Sequence, residues 1–122
     1  MTQKQQSTLL AIDVGTSSIK VVATDQTGHV LASSLAPTSY FTPDDASELT
    51  REFVPDELWA LILHLINQTL HFVNITDNPV AAIGITSQRQ GVGFLDKSGN
   101  PLYLGPNLDL RAVFEGAALD DE

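Results

Sequence analysis

The stretch "LLAIDVGTSSIKVVATDQTGHVLA", Leu9 to Ala32, decides the fold. It holds two apolar, strand-like runs, Leu9–Val14 and Ile19–Thr24, joined through Asp-Val-Gly-Thr-Ser-Ser (Asp13 to Ser18), a segment with one acid, no base and three hydroxyls. A nearly continuous apolar run such as Leu9–Val14 marks a strand covered on both faces. Val21 and Val22 give the second run its β character, "DQTG" (Asp25 to Gly28) marks a turn, and Val30–Leu35 is a third extended run. Three strands joined by short links form an antiparallel meander.

Downstream, residues 37–53 are rich in Pro, Ser, Thr, Asp and Glu and read as a surface loop. A helix opens at "PDELW", where Pro55 suits the first helical position and Asp56 and Glu57 complement the positive end of the dipole. It is expected to run to about Val73. Leu58, Leu61, Ile62, Leu65, Thr69 and Phe72 form one stripe, and Trp59, Leu63, Ile66, Leu70 and Val73 form another, so the helix is expected to be covered on more than one side. Val80–Thr86 reads as a further buried strand. Val92–Asp96 and Leu102–Leu104 flank "KSGNP" as a hairpin, and "RAVFEGAALDDE" opens a last helix. A helix between the meander and the fourth strand permits a right-handed crossover, so the fold class is α/β with a mixed sheet.

The 122 residues make one domain of ordinary size, with the ordered region starting at residues 7–8. At 43% hydrophobic and 17% charged residues the composition is that of a globular protein. No apolar run is long enough for a membrane span and the polar start is no signal peptide, so no membrane partner and a cytoplasmic location are expected. The chain has no cysteine, which excludes disulfides and thiolate metal sites. His64 and His71 lie on one side of the helix without a carboxylate to complete a metal set, and read as a surface face. A net charge of -9 argues against nucleic acid. A small phosphorylated ligand stays open, because backbone N–H groups and a divalent cation can hold it without a basic surface.

Asp13 closes the first strand, where ligands of open α/β sheets bind, and a carboxylate there can hold a divalent cation through its water shell. Gly15, Thr16 and Ser17 offer hydroxyls and unhindered N–H groups to phosphate oxygens, and Lys20 adds a positive charge. The same composition also suits a plain hairpin turn whose side chains satisfy their own backbone. The G-x-x-x-x-G-K-[ST] order of a P-loop is absent. In "SQRQG", Gln88, Arg89 and Gln90 bring donors and acceptors to a strand end, as a polyhydroxylated ligand requires, while spacing alone favours a polar loop with Arg89 in a surface ion pair. In "NLDLRA", Asp109 either meets a ligand or caps the final segment.

In order along the chain, "LLAIDVGTSSIKVVATDQTGHVLA", "PDELW", "AAIGITSQRQGVGFLDKSGNPLY" and "NLDLRA" resemble the N-terminal part of the FGGY carbohydrate kinases, members of the actin, Hsp70 and sugar kinase superfamily. The resemblance implies a partial ribonuclease H-like (actin-like ATPase) domain over residues 1–122 and, in the parent protein, transfer of phosphate from ATP to a hydroxyl of a sugar or polyol. It further implies Mg²⁺ near Asp13, ATP phosphates at Gly15, Thr16, Ser17 and Lys20, and substrate at Gln88, Arg89, Gln90 and Asp109.

Lys20 stands where glycerol kinases carry arginine. Arg89 and Gln90 occupy the positions of Arg-Glu in glycerol kinases and Met-His in xylulokinases. "NLDLRA" without a preceding tryptophan is closer to kinases of the autoinducer-2 type. In the family the general base and the adenosine pocket lie beyond this region, so the resemblance implies a missing C-terminal kinase domain as partner, no catalytic residue in this segment, and no activity of the segment alone. The rival expectation is a free-standing, non-catalytic domain that binds phosphate or polyol or regulates a partner, able to form a homodimer through the second helix stripe. A polymerising actin-like protein shares the hairpin but leaves "SQRQGVGFLD" unexplained.

Overall fold

The first strand, β1 (Thr8–Val14), alternates buried and exposed positions, with Leu10 and Ile12 inside and Leu9, Ala11 and Asp13 outside. The computed structural model describes residues 7–44 and 48–120. These fall into two compact units, the first running to Thr38 and resuming over Trp59–Ser87, the second comprising Ser39–Leu58 and the chain from Gln88 onward.

In the first unit, β1 pairs antiparallel with β2 (Ser18–Thr24), which pairs antiparallel with β3 (Val30–Pro37). This is the expected meander. After the helix α1 (Pro55–His71), β4 (Val80–Ser87) returns parallel to β1, giving the strand order β3-β2-β1-β4. The sheet is therefore mixed, and the chain reaches its one parallel pairing through a connection that contains a helix. Registers Leu10↔Ala23, Ile12↔Val21 and Val14↔Ile19 put the buried residues of β1 and β2 on one face. Leu65 and Thr69 are the buried positions of α1 and complete this core. Each fully buried aliphatic side chain here contributes on the order of 1.5–3 kcal/mol. Thr8 is anchored at the base of β1, its hydroxyl donating to the Asn78 carbonyl at 2.8 Å.

Burial differs from the sequence expectation in three places. β1 is covered on one face, and β4 is exposed along nearly its whole length, with Ile83 and Ile85 open although they lie level with Leu10 and Ile12. Trp59, Leu63 and Phe72 are also exposed. The reason is geometric: among the described residues of this unit α1 is the one helix, and β4 is the edge strand, so Ile83 and Ile85 lie at the margin of the face that holds Leu10 and Ile12. The apolar continuity of β1 and β4 thus reports composition, and here one face stays open.

The second unit contains the hairpin β5 (Val92–Leu95) and β6 (Pro101–Gly105) and a short helix α2 (Val113–Asp120). The tract 37–53 includes an antiparallel bridge between Phe41 and Glu52, and Thr50 and Phe53 within it are buried. Phe53 N–H donates to the Leu104 carbonyl at 2.9 Å, and Leu110 N–H to the Leu49 carbonyl at 3.0 Å. The rings of Tyr40 and Phe53 meet at a tilt of 41° with centroids 5.1 Å apart.

Two hairpin turns, Asp25–His29 and Asp96–Asn100, are built alike. In each, Asp Oδ1 accepts the N–H two residues on (Thr27, 2.8 Å; Ser98, 2.8 Å) and four residues on (His29, 3.0 Å; Asn100, 2.8 Å). Gly28 (φ 87°) and Gly99 (φ 86°) take the left-handed position that glycine occupies without steric cost.

Candidate functional site

Asp13 sits at the carboxyl end of β1, opposite Lys20 on β2 and Thr86 on β4. All three side chains are exposed on the open face of the sheet, where with Ala11, Val22 and Gly84 they line a shallow concavity of about 420 Å³. The β1–β2 turn beside it is held from two directions. Gly15 N–H donates to the Ser18 carbonyl at 3.0 Å, closing the turn. Thr38, just past β3, donates its hydroxyl to the Gly15 carbonyl (2.9 Å) and its N–H to the Ser17 carbonyl (3.1 Å). A Cβ on Gly15 would lie 2.8 Å from the Ser18 backbone oxygen, so only glycine fits this closure without strain.

The hairpin reading and the phosphate reading left open by the sequence are therefore compatible: the turn is a fixed hairpin and lies next to an exposed carboxylate. Among the described residues no three His, Cys, Asp or Glu side chains gather as a metal cage. A single carboxylate still fits Mg²⁺, which keeps several waters and binds through one or two carboxylates together with phosphate oxygens.

In the second unit, the turn after β4 presents the other candidates. Gln90 adopts φ 63°, an uncommon conformation for a residue other than glycine, and Arg89 and Gln90 are exposed. Gln88 is used internally: its Oε1 accepts Asn107 N–H at 2.8 Å and its Nε2 donates to the Tyr40 hydroxyl at 3.3 Å. It ties this turn to the segment that carries Asp109.

Asp109 lies at the centre of a polar cluster. Tyr103 donates its hydroxyl to Asp109 Oδ2 at 2.6 Å, and Arg111 Nε lies 3.0 Å from each carboxylate oxygen. Arg111 Nη2 contacts both Asp109 Oδ2 and Glu52 Oε1, the latter at 2.9 Å, and its guanidinium lies 5.2 Å from the Tyr103 ring centroid. Hydrogen bonds from Arg111 hold the Asp109 carboxyl down at about 2, against an ordinary value of 3.8. The same carboxylate, with the Tyr103 hydroxyl, raises the Arg111 guanidinium, and burial followed by the bond to Asp109 raises Tyr103. Gly105 has no room for a side chain, since a Cβ there would overlap the Tyr103 hydroxyl.

Asp109 does not cap α2, which begins four residues later; its Oδ1 accepts Arg111 N–H at 3.1 Å and caps the intervening turn. Sequence reasoning named Asp109 and missed Tyr103 and Glu52. The Asp-x-Arg spacing of Asp109 and Arg111 was a usable sign of the ion pair, whereas nothing local pointed to Glu52.

The N-terminal domain model of the FGGY family of carbohydrate kinases matches residues 8–105. The chain belongs to that family. This FGGY domain is 31% identical over 113 residues to the autoinducer-2 kinase of Yersinia enterocolitica serotype O:8 / biotype 1B, a match covering 93% of this chain and 21% of the relative. It thus spans about a fifth of the length of the curated relatives it matches. Its fold is that of the matching segments of xylulose kinase from Rhodospirillum rubrum (TM-score 0.80, 22% identity, 93% of this chain and 23% of that one) and of Plasmodium falciparum glycerol kinase with ADP (TM-score 0.80, 22% identity, 96% and 23%). Among the described residues of the FGGY domain no helix is long and apolar enough to cross a membrane.

Proposed function

We propose that this FGGY domain supplies the phosphate-facing and polyol-facing parts of an ATP-dependent sugar or polyol kinase. The observation that carries the reading is the fixed β1–β2 turn beside Asp13: Thr38 and Ser18 lock its backbone, and the exposed carboxylate stands at the strand end. In this reading Gly15, Thr16 and Ser17 hold phosphate oxygens through N–H and hydroxyl groups, and Lys20 contributes charge from the adjacent strand. Asp13 orients the water shell of Mg²⁺, which when bound neutralises charge developing on the transferred phosphoryl group. Arg89 and Gln90 hold hydroxyls of the sugar, Gln88 fixes their turn, and Asp109 holds the neighbouring Arg111.

Transfer also needs a base that accepts the proton of the substrate hydroxyl, and all groups must meet in one closed site. The domain spans about a fifth of its relatives; in this reading the base lies in sequence outside this segment, and the segment alone is not expected to turn over. The family match, extending over residues 8–105, favours this reading over a free-standing regulatory domain.

The test is sugar-dependent ADP release by the polypeptide that carries this segment with a second kinase domain. Asp13→Ala is expected to lower turnover at least about a hundredfold, the scale on which removal of one transition-state stabilising group acts. Near-normal turnover would sink the role of Asp13.

A further inference from the structure

Of the two edges of the four-stranded sheet, the one formed by β4 is unguarded among the described residues. An outer strand presents a row of unpaired N–H and C=O groups, and proteins blunt such edges with charge, proline, bulges or a covering segment. Val80–Ser87 holds no charged residue and no proline, and every position from Ala81 to Ser87 is exposed. The opposite edge, β3, closes in Pro37. Gly84, in the middle of β4, is a second sign. Glycine weakens a strand, and its usual reasons are a bulge, a positive φ or the close approach of another backbone. At Gly84 the register with β1 is regular, φ is outside the left-handed range, and a Cβ would meet nothing within 4 Å. An approach from outside the chain is the use that is left.

The sequence around Gly84 is complementary to itself, which singles out a second copy of this chain as the occupant. When β4 lies antiparallel to β4 of a second copy, centred on Gly84, Ile83 stands opposite Ile85 and Ala82 opposite Thr86. Ile83 and Ile85 share the face of Leu10 and Ile12, so four isoleucines that are 58% and 72% exposed in the single chain cover one another at the seam. The other face of the seam carries only Gly84, Ala82 and Thr86, which are small. A chain of net charge -9 repels its copy, but Asp13, the one acid of β1 and β4, lies level with Thr86. The two Asp13 residues are then four residues apart along the strands and three strand spacings across, about 20 Å, or roughly twice the Debye length at physiological salt. We propose that β4 is a self-association edge, through which two copies pair antiparallel about Gly84 and join their sheets into one. The two-fold axis stands perpendicular to the sheet, so the concavities beside Asp13 open on the same side. This goes beyond the kinase reading and does not depend on it.

The chain has no cysteine, so a single introduced thiol reports the register. Sedimentation velocity of the 122-residue chain is expected to show a concentration-dependent equilibrium of monomer and dimer. Gly84→Cys, whose Cβ has open space, should give a disulfide-linked dimer on oxidation in air, because residues opposed on the two-fold bring their Cα atoms to about 4.5–5.5 Å, within disulfide range. Ala82→Cys should not, since the two thiols would stand about 13 Å apart along the strands. Ile85→Lys, at an exposed position, should weaken association at least about tenfold. A chain that stays monomeric up to millimolar concentration overturns the inference. A dimer that Ile85→Lys leaves unchanged does so too, as does one that Ala82→Cys links as readily as Gly84→Cys. Growth past the dimer also overturns it, because a two-fold contact closes after two copies.

Discussion

The Tyr103 hydroxyl donates to Asp109 Oδ2 at 2.6 Å, and the same aromatic ring lies under the Arg111 guanidinium that Asp109 holds. One side chain thus supports both members of an ion pair, from the edge of its ring and from its face. Tyr103→Phe keeps the face and removes the hydroxyl. We expect a stability loss of about 1–2 kcal/mol in urea unfolding, the range of a hydrogen bond to a charged group. The Asp109 carboxyl should also move back toward its ordinary value in an NMR titration. An unchanged Asp109 titration would show that the hydroxyl is dispensable.

The same carboxylate makes stability depend on acid. Asp109 titrates at about 2 in the folded chain and at 3.8 ordinarily, so its contribution is fully present above about pH 4 and is lost as pH falls toward 2. After allowance for solvent screening this amounts to about 1 kcal/mol. Urea midpoints measured between pH 5 and pH 2 should fall less steeply for Asp109→Asn than for the unchanged chain. Parallel slopes would show that Arg111 does not hold the carboxylate in solution.

At the other candidate site, Gly15→Ala would bring a methyl group to 2.8 Å from the Ser18 carbonyl oxygen, a backbone atom that cannot swing aside. The turn must open, at a cost of roughly 1–3 kcal/mol. Amide exchange should quicken at Gly15 and Thr38, whose bonds depend on the closed turn. If MgADP shifts the amides of residues 15–18 in the unchanged chain, those shifts should disappear in the variant; their persistence would separate phosphate binding from the turn geometry.

Thr69 is buried on α1, and its Oγ1 has no hydrogen-bond partner among the described residues. Thr69→Val keeps the volume and the β-branch while removing a desolvated hydroxyl. It should raise stability by about 1 kcal/mol, read as a higher melting temperature. A lower melting temperature would show that the hydroxyl is satisfied in solution.

The strands and α1 were legible because their signals are local: apolar runs at β1, β2 and β4, the Pro-Asp-Glu opening at α1, and glycine-bearing turns. Burial was less legible. An apolar run such as "AAIGIT" on β4 has the composition of a covered strand whether or not another layer lies over it, and here Ile83 and Ile85 stand open. The candidate site divides the same way. Asp13 and Gly15 announce themselves by sitting at a strand end in consecutive sequence. The Glu52 to Arg111 contact joins residues 59 apart, and Glu52 lies in a tract without periodicity, where Phe41 pairs with it across the backbone. The internal use of Gln88 was invisible for the same reason, since its partners Tyr40 and Asn107 come from distant parts of the sequence.

The matched turns at Asp25–His29 and Asp96–Asn100 have a consequence for how the chain acquires its structure. Every bond that closes them comes from within five consecutive residues. Loops of this size meet in about 10–100 ns and hairpins form in about 1–10 μs, well before distant segments find one another. Strand register on either side of each turn can therefore be set while the chain is still emerging from the ribosome. The slower event is the arrival of β4 beside β1, which waits until α1 has been made.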